Sequence, residues 1–88
     1  MISLRLLSRP DCHLCHQMRA DVDRLLAGDP HTWEVVDVDS DDELARRWSD
    51  LIPVLFVNGR LFAKHRIPKL AARLRLLRAA AGEEERAK

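Results

Sequence analysis

Two cysteines three residues apart, Cys12-His13-Leu14-Cys15, sit where one hydrophobic period gives way to another. Ahead of them Ile2, Leu4 and Leu6 alternate with Ser3, Arg5 and Leu7, the period of a strand, which Ser8-Arg9-Pro10-Asp11 breaks. Behind them Cys15, Met18, Val22, Leu25 and Leu26 recur in steps of three and four, one stripe of an amphipathic helix over Cys12 to Ala27. A strand leads into the pair, a helix starts on it, and both thiols fall within one turn. The rest of the fold has to be built around that junction. At 88 residues and 10.1 kDa the chain is one domain's worth.

Gly28, followed by Asp29-Pro30, is a stop for the first helix. Trp33 to Val38 is β-branched and reads as a second strand ending in the acidic turn Asp39-Ser40-Asp41-Asp42. Ser40 or Asp41 can cap a short helix to about Trp48. Val54-Leu55-Phe56-Val57, Asn58-Gly59 and Arg60-Leu61-Phe62-Ala63 form a hairpin signature, since Asn-Gly supplies the two positive φ values of a type I′ turn. Pro68 suits the first turn of a last helix with Leu70, Ala71, Leu74 and Leu77 on one face. The order is strand-helix-strand-helix-strand-strand-helix, a single α/β domain over 1–81, with 82–88 expected to fray. A right-handed crossover followed by a hairpin places all four strands in one sheet with helices on both faces.

The cysteine pair carries the chemistry. As a staple it is poor, because a four-residue loop removes only about 2 kcal/mol of denatured-state entropy and joins residues the helix already holds together. As an exchange centre it is well placed. An ordinary thiol is only about 3% ionised at pH 7, and the free N–H groups of a helix start favour the thiolate of Cys12. Arg9 and a protonated His13 add to this effect, and Asp11 opposes it. Cys12, first in the turn, is then the sulfur that attacks a disulfide. Cys15, one turn deeper on the apolar stripe, is the one that resolves the mixed disulfide. Ile52-Pro53-Val54 is the second informative feature, a proline opening a buried strand where it has no N–H for a neighbour.

Ser8-Arg9-Pro10-Asp11-Cys12-His13-Leu14-Cys15 and Ile52-Pro53-Val54-Leu55-Phe56-Val57-Asn58-Gly59, in this order of elements, resemble the glutaredoxin branch of the thioredoxin superfamily. More narrowly, they resemble its small bacterial glutaredoxin-like proteins. The resemblance implies a thioredoxin-like βαβαββα fold with a four-stranded mixed sheet. It implies a dithiol–disulfide oxidoreductase with Cys12 as nucleophile and Cys15 as resolving thiol. It also implies a cis Pro53 beside the pair and Ile52 as a docking residue; His13, Leu14 and Arg9, close to the cysteines in sequence, are the other candidate substrate-binding residues. The chain departs from the usual Cys-Pro-Tyr-Cys at His13 and Leu14. After the hairpin, Phe62-Ala63-Lys64-His65-Arg66 has neither the Gly-Gly pair nor the acidic residue that holds glutathione's amine. These departures count against glutathione as co-substrate, leaving Lys64 or Arg66 as candidates for its carboxylates. The expected partner is a protein or small-molecule disulfide.

Two other readings stay open. Cys12, Cys15 and either His13 or His16 supply three soft ligands, so zinc would need a fourth, or two chains would share zinc or an iron–sulfur cluster. The chain would otherwise be a non-catalytic interaction module whose basic last helix meets an acidic partner. The string Cys12-His13-Leu14-Cys15-His16 also spells a haem attachment site, but no distant axial ligand or export signal supports it. Asp37, Asp39, Asp41 and Asp42 lack the loop glycine and terminal glutamate of a calcium loop.

Charge excludes more than it assigns. The net charge is +1 with aromatics at 5%, so neither nucleic acid nor a membrane surface is an expected partner. No apolar run approaches the length of a membrane span, and a cytoplasmic monomer is expected. The distribution is uneven, however. Residues 21–50 hold ten acidic and three basic side chains, whereas residues 60–78 hold seven basic ones and no acid.

Overall fold

A computed structural model of the chain describes residues 1–82. The elements follow as β1 (Ile2–Ser8), α1 (His13–Leu25), β2 (His31–Asp37), a 3-10 turn at Val38–Ser40, α2 (Asp42–Trp48), β3 (Val54–Val57), β4 (Arg60–Lys64) and α3 (Ala72–Ala80). The strands form one sheet in the order β2-β1-β3-β4. β1 and β2 run parallel, and the β1–β3 and β3–β4 pairs are antiparallel. This is the mixed four-stranded architecture expected from the sequence.

Alternation along β1 sorts the core into two layers. Leu4 and Leu6 face one side beside their register partners Val57 and Leu55, and α1 covers them with Met18, Val22 and Leu26. Leu76 of α3 joins the same layer. Leu7 and its partner Val54 are buried on the opposite face, where Phe56 meets Trp48 of α2 edge to face at 5.7 Å. Helices therefore cover both faces, α1 and α3 on one and α2 on the other.

Local chemistry explains the boundaries. β2 begins two residues before the expected Trp33, because parallel pairing starts at Ile2↔His31 and the Ile2 N–H donates to the Pro30 carbonyl at 3.1 Å. Asp41 caps α2 by accepting from the Leu44 N–H at 3.1 Å. Asn58 and Gly59 both have positive φ, 49° and 86°, as the tight hairpin turn requires. The Asn58 side chain accepts from the Ser3 N–H and donates to the Ala80 carbonyl, tying the turn to β1 and to the end of α3. Opposite β3 the register shifts between Leu55 and Phe56, placing the extra residue Phe62 in a bulge on edge strand β4.

The last helix corrects the sequence reading. It does not start at Pro68: residues 65–71 form bends and a turn first, and Ala71 stands at the N-cap in the left-handed region at φ 56° with no side-chain cap. Of its expected face Leu70, Ala71, Leu74 and Leu77, only Leu77 packs against the core. Leu70 and Leu74 are exposed, and Leu76 is the fully buried residue. Arg73 fixes the rotation. Its guanidinium donates to the Leu25 carbonyl at 2.6 Å and pairs with Asp29 at 3.0 Å, clamping α3 to the end of α1. The tail beyond Gly82, expected to fray, lies outside the described residues.

Candidate functional site

The sheet register gathers the sequence-predicted residues at one end. β1 and β2 finish there as the pair Ser8↔Asp37, β4 finishes at Lys64, and β3 starts there at Val54, the partner of Leu7. Pro53 is one residue beyond that last β1–β3 pair, and β1 runs out through Arg9-Pro10-Asp11 into Cys12. The Ile52–Pro53 peptide bond is cis. The Pro53 carbonyl accepts from the His65 N–H at 2.7 Å, so the segment after β4 is bonded to the segment before β3.

Cys12 and Cys15 form a disulfide with a Cα–Cα distance of 5.2 Å. Cys12 is the N-cap of α1, and its Sγ accepts from the Cys15 N–H at 3.2 Å. A sulfur in that position meets the positive end of the helix and one of its free donors. Exposure separates the pair, Cys12 being partly exposed and Cys15 buried at 2%. Cys15 sits in the wall of a small cavity of about 140 Å³ with Leu6, Ser8, Arg9, His16 and Arg19. His13 and Leu14, between the sulfurs, are exposed.

Arg9 is not a free cation beside the thiols. Its guanidinium makes a two-point contact with Asp39, Nε to Oδ2 at 2.7 Å and Nη2 to Oδ1 at 3.3 Å. That hydrogen bond holds the Asp39 carboxyl below its ordinary value. The acidic turn is thus structural chemistry. Asp37 accepts from the Asp39 N–H, Asp39 pairs with Arg9, and Asp41 caps α2. His16, adjacent to Cys15, uses Nε2 on the Pro10 carbonyl at 3.1 Å, bracing the loop that delivers Cys12. Among the described residues no cluster of three or more His, Cys, Asp or Glu side chains is arranged to hold a metal ion.

Sequence reasoning missed a groove of about 450 Å³ next to the pair. Leu14 opens it. One wall is the α1 face bearing Gln17 and Asp21, and the other is the segment from His65 to Lys69. The available signal was the run of basic residues after the hairpin, which reads more readily as a solvated helix face than as a surface for an anion or partner.

A disulfide-linked cysteine pair at the start of the first helix, on a four-stranded mixed sheet covered on both faces, defines a thioredoxin-like protein. Residues 3–75 match the model of the glutaredoxin-like domain (DUF836), and the chain belongs to that family. Among solved structures it is similar to a malarial protein, with 19% identity over 91% of this chain and 97% of that one, at a TM-score of 0.57. It is also similar to the oxidised form of mitochondrial thioredoxin 3 from Saccharomyces cerevisiae. That match has 18% identity over 92% of this chain and 77% of that one, at a TM-score of 0.53. At these identities the likeness is one of fold. Comparison with curated protein sequences finds no match.

Proposed function

We propose that the protein is a dithiol–disulfide oxidoreductase in which Cys12 attacks and Cys15 resolves. The observation that carries this reading is the Cys12 sulfur at the N-cap of α1, bonded to a main-chain N–H, with its disulfide partner buried one turn deeper. In the reduced protein the same N–H and helix end favour the Cys12 thiolate over the thiol. That thiolate displaces one sulfur of a substrate disulfide: the substrate S–S bond breaks, a mixed disulfide forms, and the departing thiolate takes a proton from water. Cys15 then gives its proton to water and attacks Cys12, closing the intramolecular bond and releasing the second substrate thiol. The substrate gains two electrons and two protons, and the protein dithiol loses them. An external thiol or dithiol returns the pair to the reduced form. Ile52 and the cis Pro53, at the same end of the sheet, are the proposed backing for the substrate chain, with His13, Leu14 and Arg9 on its other side.

The test uses the reduced full chain. Cys12 is expected to alkylate faster than Cys15 at pH 7, and its reactivity to titrate below the ordinary thiol range. Cys12→Ser should lower the reduction of a model peptide disulfide to background, and Cys15→Ser should accumulate the mixed disulfide. Equal alkylation of the two thiols, together with no reduction of any model disulfide, overturns the assignment. Stoichiometric zinc or iron in anaerobically purified protein, lost in Cys12→Ser, replaces it with the metal-binding reading. A partner retained equally by the Cys12→Ser/Cys15→Ser double variant replaces it with the interaction module.

A further inference from the structure

We propose that the groove beside Leu14 is a docking site for an acidic polypeptide segment next to the disulfide of a substrate protein. The term substrate rests on the redox reading above; the groove and its charge do not. Its volume, about 450 Å³, lies in the range of binding clefts and admits a few side chains rather than a folded surface. The floor is apolar, with Met18, Leu25 and Ile67, and suits the stems of extended residues.

The rim is cationic and unspent. Asp21, the one carboxylate in the walls, is already engaged by Arg24 Nη2 and Gln17 Nε2, both at 3.1 Å. Arg66 and Lys69, across from it, have side chains with no ion pair or hydrogen bond among the described residues. Ala72, the first residue of α3, is also in the wall, and that nine-residue helix starts without a side-chain cap, so its positive end adds to the same field. The backbone here is held in costly conformations. His65 has φ 66°, and a bond of 2.7 Å from the Arg66 N–H to the Lys64 carbonyl closes a three-residue turn around it; Ala71 has φ 56°. Two non-glycine residues in the left-handed region flank one groove, the kind of strain that collects at binding sites. Carboxylates complement the charge of this rim. A nucleic acid would find no Phe, Tyr or Trp among the lining residues to stack on, only the small His65 ring.

The experiment follows the reduced full chain reducing three short peptides with the same disulfide and acidic, neutral or basic flanks. The acidic peptide should lead the neutral one in kcat/KM by about fivefold to tenfold at low salt, and about 0.5 M salt should erase the lead. In Arg66→Ser/Lys69→Ser the ratio should fall to about one. Arg75→Ser/Arg78→Ser removes the same charge from α3 outside the groove, and the ratio should persist. A wild type that reduces all three peptides equally overturns the docking site and leaves the redox reading standing. A wild type that reduces none sinks the redox reading instead. The groove is then decided by an acidic peptide without cysteine titrated onto the oxidised protein: amide shifts at Gln17 and Lys69 uphold it, and their absence overturns it. Displacement of that peptide by lower concentrations of glutathione or of a single-stranded oligonucleotide also overturns it.

Discussion

His31 has both ring nitrogens committed. Nδ1 lies 2.7 Å from the Asp29 carbonyl and Nε2 lies 2.8 Å from Asp23, which also accepts from the Trp33 indole at 2.8 Å. Two acceptors call for two ring protons, so the Asp29 carbonyl first, and the Asp23 carboxylate second, raise the imidazole above its ordinary 6.5. Asp23 moves the opposite way, below 3.8, through the Trp33 hydrogen bond and then that of His31. The signs set a window. The His31 contribution to stability is complete below pH 6.5 and is lost as pH rises through its raised folded value. The Asp23 contribution is present above pH 3.8 and is lost as pH falls through its lowered one. The melting temperature should therefore fall as pH rises from 6.5 through the raised His31 value, and His31→Gln should flatten that limb; an unchanged limb in the variant refutes the clamp. None of this was visible in the sequence. Asp23 and His31 belong to different elements, and only the parallel register of β2 brings them together. Cys12 and Asp41 were legible as local signals, because a helix start depends on its own few residues.

At the scale of elements, α3 divides what a pattern can decide from what it cannot. Leu70, Leu74, Leu76 and Leu77 offer two stripes of similar strength, and the choice falls to Arg73, whose partners Leu25 and Asp29 are more than 40 residues away in sequence. Leu76→Ala should lower unfolding free energy by about 2–5 kcal/mol, while Leu74→Ala, at a position 50% exposed, should change it by less than about 0.5 kcal/mol. Urea titrations of the two variants measure this directly, and comparable losses would mean the helix is turned the other way. The hairpin and α1 needed no such arbitration. Asn58-Gly59 admits few backbone shapes, and the stripe Cys15, Met18, Val22 and Leu26 has no rival on its helix.

For the whole molecule the order of elements and the two-layer core were legible because each strand and helix announces its own period. The groove was not, since it is the space left between α1 and an irregular segment with no period of its own. The disulfide adds little to the global balance. It closes a four-residue loop, so reducing it should cost at most about 2 kcal/mol of an overall stability of about 4–13 kcal/mol. Thermal unfolding with and without a reductant should show a modest downward shift and one cooperative transition in both cases; loss of the transition on reduction would make the bond a structural strut. The Cα atoms of Cys12 and Cys15 stand 5.2 Å apart, about the separation that one helical turn already imposes. Opening the link asks nothing of the main chain. If the pair cycles as proposed, the two oxidation states would share one backbone, and a partner that distinguishes them would have to read the sulfur atoms themselves.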